Sequence, residues 1–78
     1  MNDKKDKIRT NLMTRLHELR EAKGWSFRQV GLEADIEHKQ YEGYEKGENI
    51  PGFFVLCRIA DAYGISVSEL LKGVHPVP

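Results

Sequence analysis

The chain has 78 residues, with 12 basic and 12 acidic side chains, a formal net charge of zero and one cysteine. A chain of this length forms one domain that buries only about 60% of the surface exposed by its unfolded form, which argues against a two-lobed enzyme cleft. The lone Cys57 excludes an internal disulfide framework and a site built on several thiolates, and we expect it to be a small buried hydrophobic residue.

The N-terminal lysines are not followed by an apolar segment, and no apolar run is long enough to span a bilayer. We therefore expect a soluble, cytoplasmic protein with no membrane partner. Zero net charge is unusual for a nucleic-acid-binding protein, because basic residues supply most non-specific affinity for phosphates. Any basic surface must come from an uneven distribution of charge along the chain.

The first predicted helix has an apolar stripe with the 3.6-residue period of an α-helix. The stripe consists of Ile8, Leu12, Leu16 and Leu19. Gly24 fits the position after the helix end, and Lys23 suits the negative end of the helix dipole. Residues 1–6 are expected to form a flexible N-terminal arm, which either touches phosphates or only keeps the chain soluble.

A second helix is predicted to begin directly after Ser26. Ser26 and Gln29 have the spacing of a capping box, and Trp25 and Val30 have the spacing of a hydrophobic staple. This helix is short, because Asp35 tolerates a left-handed backbone and interrupts the pattern. Gly31 removes a side chain one turn earlier, where we expect the next helix to approach closely.

A third helix is predicted from about Glu37 to Lys46, with Gly47 as its end. Tyr41 and Tyr44 are three residues apart and should face the core together. The outward side of this helix should carry Glu37, His38, Lys39, Gln40, Glu42 and Gly43. Two helices joined by a tight turn are therefore predicted over residues 26–47.

The rest of the chain predicts a loop before Pro51 and two more helices. The fourth helix should run from Phe53 or Phe54 to Tyr63, and its aromatic residues should lie in the core. The spacing of Ser66 and Glu69 gives a second capping box, which begins a last short helix that ends at Gly73. With no strand-like alternation, the sequence predicts an all-α fold of about five short helices.

Other kinds of site are not indicated. The three histidines are scattered, without the spacing or thiol partners of a zinc site, and no phosphate-binding GxxxxGK[ST] loop occurs. No nucleophile-base set or pair of carboxylates stands out from ordinary surface spacing. We therefore expect no enzyme activity, no metal, no cofactor and no small-molecule effector.

The joint pattern resembles the phage-repressor and Cro type of helix-turn-helix DNA-binding domain, a family with a lambda-repressor-like bundle fold. The matching positions are Leu16, Leu19, Arg20, Lys23, Gly24, Trp25, Ser26, Val30, Gly31, Ile36, Tyr41, Tyr44, Glu45, Lys46, Gly47, Pro51, Leu56, Ile59, Ala60, and the run from Gly64 to Leu71. The resemblance covers residues 8–73 and implies a DNA-binding domain over residues 7–73, followed by a short tail at residues 74–78.

The resemblance also implies roles for individual residues. In this family the second helix of the motif enters the major groove of duplex DNA, while neighbouring segments hold phosphates. Lys39 has the chemistry to donate to guanine, Gln40 to pair with adenine and Glu42 to accept from cytosine. The implied DNA-binding positions are Arg28, Glu37, His38, Lys39, Gln40, Glu42, Gly43 and Lys46. Arg20 and Glu45 are implied to form an inward structural ion pair.

Three positions depart from the family pattern. Phe27 stands where a phosphate-holding glutamine is common, Gly31 where alanine is common, and Asp35 where glycine is common. A phenyl ring has no donor for a phosphate, and Asp35 places a negative charge near the expected DNA. These departures, with Glu37 and Glu42, keep open an alternative function as a protein-interaction module or antitoxin-like partner protein on a helix-turn-helix scaffold.

The leading interpretation is a transcriptional repressor of the Cro/C1 type that binds a palindromic operator as a homodimer. One motif touches only a few base pairs, so two symmetric copies are expected to act together. The apolar residues of the last helix and tail, Leu70, Leu71, Val74 and Val77, are the expected dimer contact, although they could instead pack within one copy.

Overall fold

The structure is a computed structural model that describes residues 3–76 of the chain. Over this range it contains five helices and no strand: α1 Asp3–Lys23, α2 Phe27–Ala34, α3 His38–Glu45, α4 Phe53–Tyr63 and α5 Val67–Leu70. The predicted all-α class and the number of helices are confirmed.

Helix α1 begins at Asp3 and therefore includes part of the stretch for which a flexible arm was expected. Asp3 and Asp6 lie in the first turn, and Arg20 and Lys23 lie in the last turn. Each pair has the charge that stabilises its end of the helix dipole, which favours helix as far back as Asp3. Residues 3–6 are thus helical, and the first two residues of the expected arm lie outside the described residues.

The predicted caps of α2 are present, with one difference. Ser26 Oγ accepts a hydrogen bond from the Gln29 backbone N–H at 3.1 Å, and Asp35 ends the helix in the left-handed region at φ 57°. The Gln29 side chain donates to Glu33 Oε2 at 2.9 Å. It does not return to the Ser26 backbone, so only one half of the expected capping box forms.

The last helix is capped in the same partial way. Ser66 Oγ accepts from the Glu69 backbone N–H at 3.0 Å. Arg15 of α1 draws the Glu69 carboxylate away at 3.3 Å and also donates to the backbone carbonyl oxygens of Glu69 and Leu70. Carbonyls near the end of α5 therefore receive donors from α1, which fixes this short helix against the first one.

The core is a single cluster to which every helix contributes. Its buried hydrophobic members are Leu12, Leu16, Val30, Ala34, Tyr41, Tyr44, Ile59, Ala60, Tyr63, Leu70 and Val74. At its centre Tyr41 Oη donates to the Leu16 carbonyl at 3.2 Å and lies 2.7 Å from Tyr63 Oη. Burial raises the pKa of both phenols, that of Tyr63 to about 12, so both stay protonated at neutral pH.

Trp25 packs at the edge of this core. Its indole stacks on the ring of Tyr63 with centroids 5.7 Å apart and an interplanar angle of 20°. The Lys23 ammonium lies 5.4 Å from the indole centroid. Trp25, two residues before the start of α2, is thereby held against α4, which limits how far the start of α2 can move.

The expectation that Phe53 and Phe54 lie in the core is wrong. Phe53 is 65% exposed and Phe54 is 83% exposed. The first residues of α4 that pack against the core are Val55 and Leu56, and Ile59 further along the helix is buried in it. At 3.6 residues per turn, Phe54 falls roughly opposite the side of the helix that carries Ile59. The helical period was right, but the first two residues of α4 lie beyond the edge of the core.

The expected dimer contact at the C-terminus is also wrong for two of its residues. Leu70 and Val74 are buried in the monomer, and the Val74 carbonyl accepts a hydrogen bond from Asn11 Nδ2 at 3.1 Å. Leu71 is half-buried and packs against the same core. Leu70 and Val74 complete the small core, so they are not available to a second copy. Val77 lies outside the described residues.

Candidate nucleic-acid interface

Helices α2 and α3 approach closely at Gly31. A Cβ atom added to this residue would lie 2.8 Å from the Ile36 carbonyl oxygen and 3.1 Å from His38 Cα. The Ile36 backbone N–H in turn donates to the Gly31 carbonyl at 3.0 Å. Glycine therefore lets the turn and the start of α3 lie directly against α2, and the two helices form one rigid unit.

Helix α3 is oriented by two buried tyrosines. Tyr41 and Tyr44 are fully or almost fully buried, so their side of the helix faces the core. The opposite side of the first turn is left in solvent, where Lys39 and Gln40 are exposed and His38 is half-buried. The predicted division of α3 into inward and outward sides is confirmed for these residues.

The turn and the neighbouring ends of α2 and α3 line a surface groove. Its lining residues are Arg28, Gly31, Leu32, Asp35, Ile36, Glu37 and His38. Three candidate DNA-binding residues, Arg28, Glu37 and His38, are thus brought together at the N-terminal end of α3. Lys39 follows directly and is exposed. Among residues 3–76, the side chains of Arg28 and Lys39 are not held in an ion pair.

Gln40 is less available than its exposure indicates. Its amide Nε2 donates to Tyr44 Oη at 2.6 Å. A bidentate contact with adenine uses both the amide nitrogen and the amide oxygen. Because Nε2 has two N–H groups, Gln40 can keep the tyrosine and still offer one N–H and the amide oxygen to a base, but only in the orientation that the tyrosine bond imposes.

Glu42 and Lys46 form an ion pair along the outward side of α3. Lys46 Nζ lies 2.6 Å from Glu42 Oε2, one helical turn away. The hydrogen bond from Lys46 lowers the pKa of the Glu42 carboxyl, and the same contact raises the pKa of Lys46. Both side chains remain charged at neutral pH and offset one another, which reduces the repulsion that Glu42 would exert on a phosphate backbone.

The expectation that Gly43 lies on the outward side is wrong. Gly43 is buried, and the side chains of Asn49 and Glu48 cover it at 3.1 and 3.6 Å from the position of an added Cβ. The loop after α3 folds back over the helix because the Glu48 backbone N–H donates to the Gly43 carbonyl at 2.9 Å. The part of α3 that solvent or a ligand can reach is therefore its first turn and the side that carries Glu42.

The implied inward ion pair is present between α1 and α3. Arg20 Nε lies 2.8 Å from Glu45 Oε2, and Arg20 Nη2 donates to Glu45 Oε1 at 3.1 Å. Arg20 Nη1 also donates to the Trp25 carbonyl at 3.0 Å. The guanidinium thus joins α1, the start of α2 and the end of α3, and it serves the scaffold instead of contacting a ligand.

Phe27 has a structural role that the sequence did not reveal. The Arg20 guanidinium lies 4.2 Å from the centroid of its ring, within cation-π range, and the same ring is 6.3 Å from that of Tyr41. Phe27 opens α2 and supports the ion pair of Arg20 and Glu45. The pairing of this ring with Arg20 depends on the packing of α1 on α2, which no local sequence signal contains.

Arg58 was not among the residues predicted to lie near the DNA-binding surface. It lies on α4, far from the motif in sequence, and its Nη1 donates to the Asp35 backbone carbonyl at 3.3 Å. The exposed guanidinium therefore adds a positive charge beside the turn, close to the residue whose carboxylate was expected to weaken DNA contact. Only the packing of α4 on α2 brings these residues together.

The described residues contain no helix long and apolar enough to cross a membrane. Within the same residues, no group of three or more histidine, cysteine or acidic side chains is placed to hold a metal ion.

Comparison with known proteins gives two findings. A family model described as a helix-turn-helix domain matches residues 12–72. The HTH-type transcriptional regulator DdrOP3 of Deinococcus deserti is 35% identical over 64 residues, which are 82% of this chain and 50% of that protein. The chain spans about half the length of the curated relative it matches.

The matched region begins within α1 and extends past α5, so it includes the Gly31 contact, the left-handed turn at Asp35 and the whole of α3. The family model and the geometry of α2 and α3 agree, and the chain belongs to the helix-turn-helix domain family.

Proposed function

We propose that this protein is a transcriptional regulator that binds duplex DNA sequence-specifically through α3. The observation that carries the proposal is the exposed first turn of α3, held on a rigid scaffold by Gly31 and by the pair of Arg20 and Glu45. Helix-turn-helix proteins place this turn of the second helix against base edges in the major groove. The similarity to an HTH-type transcriptional regulator of Deinococcus deserti supports the same function.

Lys39 is the proposed principal reading residue. It is exposed in the first turn of α3, and a lysine ammonium matches the O6 and N7 acceptors of guanine. His38 beside it supplies a second hydrogen-bonding group. Arg28 lines the same groove from α2 and is proposed to bind a phosphate, which fixes the register of α3 on the duplex.

Glu42 and Lys46 are proposed to act as a pair. The carboxylate of Glu42 can accept a hydrogen bond from cytosine N4, and Lys46 can contact a nearby phosphate. The two side chains form an ion pair in the structure. Binding to a correct site therefore requires Glu42 to exchange Lys46 for the cytosine, and Lys46 to exchange Glu42 for the phosphate. A wrong base leaves Glu42 facing phosphates without compensation, and this penalty favours specificity over general affinity.

The regulator is further proposed to be a repressor that binds a palindromic operator as a homodimer. An eight-residue α3 spans only about 12 Å, and a chain with no net charge gains little non-specific affinity from phosphate contacts. Two copies on half-sites one helical turn apart double the contacts without any change in the chain.

The proposal is tested by fluorescence anisotropy with labelled duplexes tiled across the DNA that flanks the protein's own gene. One duplex should bind more tightly than the others, and the logarithm of its association constant should fall linearly with the logarithm of salt concentration. Lys39→Ala should weaken binding to this duplex by about 1–3 kcal/mol and relax the preference at one base position.

The matched control is Lys72→Ala, which removes an exposed lysine that follows α5 instead of one on α3. It should leave the base preference unchanged. A folded wild type that binds no duplex even at low salt would contradict the proposal and would favour a protein-interaction module.

A further inference from the structure

One side of α3 carries amide groups that the proposed base contacts do not use. Gln40 is exposed, and its Nε2 donates to Tyr44 Oη at 2.6 Å. One turn further along, Asn49 of the covering loop places its Nδ2 3.1 Å from the position of an added Cβ on Gly43. We call Gln40 and Asn49 the amide flank. Both residues are exposed and uncharged.

Tyr44 fixes the direction of the Gln40 amide. The tyrosine is only 5% exposed, so its ring is held by the core. Gln40 Nε2 has two N–H groups, and the one that is not given to Tyr44 remains for a ligand. A side chain that is already held in one orientation loses less conformational freedom when it binds. The amide of Asn49 supplies two further N–H donors.

The amide flank lies on the side of α3 that faces away from α2. Successive residues of an α-helix are about 100° apart, so Gln40 lies about 200° from His38, with Lys39 midway between them. His38 lines the groove on the α2 side together with Arg28. Lys39 therefore points outward, and the amide flank and the α2 side lie at similar angles to its left and right.

This arrangement matches the shape of the major groove of duplex DNA. The groove is about 12 Å wide, and a helix with its side chains is about 10–12 Å across. A helix whose outermost residue faces the base edges therefore brings each of its two sides close to one phosphate backbone. If Arg28 binds the backbone on the α2 side, the amide flank meets the backbone of the other strand.

We propose that the amide flank binds the phosphate backbone of the DNA strand opposite to the one that Arg28 binds. Gln40 and Asn49 are the donors, and Tyr44 is a positioning residue that acts through Gln40. The inference rests on the proposed function and deepens it by assigning the contact with the second strand. Gln40 is thereby assigned to a phosphate instead of the adenine that the family resemblance implied, because it lies to the side of Lys39.

A negative charge beside the amide flank limits the strength of this contact. Glu48 Oε1 lies 3.6 Å from the position of an added Cβ on Gly43. Glu48 is exposed in the loop, so its side chain can turn away from a bound phosphate. Phosphate contacts fix the orientation of a protein on the duplex. The amide flank should therefore contribute to the orientation of α3 more than to affinity.

Uncharged donors predict a characteristic dependence on salt. A cation that binds a phosphate releases counterions, and its removal reduces the slope of log affinity against log salt by about one. An amide carries no charge and leaves this slope unchanged. Gln40→Ala should therefore weaken duplex binding about three- to tenfold, with the slope and the base preference of wild type. Arg28→Ala should reduce the slope.

The main test is fluorescence anisotropy with the best-bound duplex, in which one phosphate at a time is replaced by an uncharged methylphosphonate. Wild type should lose affinity when phosphates at the contacted positions of either strand are replaced. Gln40→Ala should lose this sensitivity at one or two neighbouring positions of one strand and keep it elsewhere. Arg28→Ala is the matched comparison and should lose sensitivity on the other strand.

Tyr44→Phe tests the positioning role separately from the fold. It removes only the hydroxyl, so the ring still packs and the thermal unfolding midpoint should stay close to that of wild type. The variant should weaken duplex binding. This effect should vanish in a chain that already carries Gln40→Ala, because the hydroxyl acts only through that amide.

A Gln40→Ala variant that relaxes the preference at one base position would overturn the proposal, since it would place Gln40 on a base. Wild-type affinity in Gln40→Ala would overturn it as well, and wild-type affinity in Tyr44→Phe would overturn the positioning role. If Tyr44→Phe does not fold, the methylphosphonate series with Gln40→Ala decides. A wild type that binds no duplex contradicts the proposed function together with this contact, whereas specific binding that is unchanged in Gln40→Ala contradicts only the contact.

Discussion

Glu45 is the last residue of α3, where the helix dipole disfavours an acidic side chain. Its carboxylate is only 5% exposed and is held by Arg20, which is 13% exposed. Burial by itself raises the pKa of Glu45, but the hydrogen bonds from Arg20 and other neighbours outweigh burial, so the pKa lies below its usual value. The hydrogen bond to Glu45 likewise raises the pKa of Arg20. The end of α3 therefore depends on both charges.

Arg20→Met should lower the free energy of unfolding by about 3–5 kcal/mol, because the buried carboxylate of Glu45 loses its guanidinium partner and keeps weaker neighbours such as the exposed His17, whose Nδ1 lies 3.2 Å away. Urea denaturation followed by circular dichroism measures the change. Lys46→Met is the control, since it breaks a solvent-screened pair on α3 and should change the free energy of unfolding far less. Equal stability of Arg20→Met and wild type would refute a structural role for the pair.

The stability contributed by Glu45 should also depend on pH. The folded pKa of Glu45 lies below its unfolded value, so its contribution is complete above the unfolded pKa, about 4.3, and is lost as the pH falls through the folded pKa. The difference in free energy of unfolding between wild type and Glu45→Gln should therefore shrink as the pH falls below about 4. Urea midpoints at a series of pH values measure it, and a constant difference would contradict the assignment.

At the scale of the elements, the unit of α2 and α3 is set by backbone geometry at two positions. Gly31 lets the Ile36 carbonyl lie where a side chain would otherwise be, and Asp35 turns the chain at a positive φ. An alanine at Gly31 has better helix propensity by about 1 kcal/mol, yet it meets a backbone atom that cannot move without shifting α3. Packing therefore outweighs propensity at this residue.

Gly31→Ala should destabilise the protein by about 1–3 kcal/mol, because the added methyl overpacks the contact between the two helices. The matched comparison is Gly43→Ala on α3, whose new methyl meets only side chains, Asn49 at 3.1 Å and Glu48 at 3.6 Å. Those side chains can move, so the change in free energy of unfolding should stay within about 1 kcal/mol of zero. Thermal and urea unfolding measure both. A Gly31→Ala variant as stable as wild type would show that α3 adjusts freely.

Residues close in sequence predicted where the helices begin and end. The burial of individual side chains depends on how the helices pack together, and the sequence did not predict it in every case. Ser26, Asp35 and Ser66 act on neighbouring backbone groups, so their roles as caps and turn follow from the sequence around them. Phe53 could not be placed in the same way, because periodicity gives the side of a helix but not where the core ends. Gly43 was misplaced because the covering loop belongs to the tertiary structure.

At the scale of the whole molecule, the net charge of zero results from basic and acidic side chains that lie at different places on the surface. Arg28, Lys39 and Arg58 lie on or beside the motif, while Asp35 and Glu37 lie at its turn. The basic side chains can approach phosphates, but the acidic ones lower the attraction for any duplex. With the proposed function, the protein should bind non-specific DNA weakly and should rely on the correct base contacts for its affinity.

Glu37→Gln should therefore raise the affinity for an unrelated duplex several-fold, while the loss of a negative charge from the N-terminal end of α3 should lower thermal stability only slightly. Glu37 is exposed at the start of α3, and its side chain makes no capping hydrogen bond, so only its charge is lost. Anisotropy at low salt measures the affinity. Glu18→Gln, an exposed change on α1, should have no effect, and an equal gain from both variants would indicate a response to net charge alone.

The stacking of Trp25 on Tyr63 has a practical optical consequence. Trp25 is the only tryptophan of the chain, and the ring it stacks on belongs to α4 instead of the outward side of α3. Its intrinsic emission should change when the helices separate during unfolding and should stay constant when a duplex binds to α3. A labelled duplex and the indole can then be followed in one cuvette, so that a variant which loses binding is distinguished at once from a variant which has lost its fold.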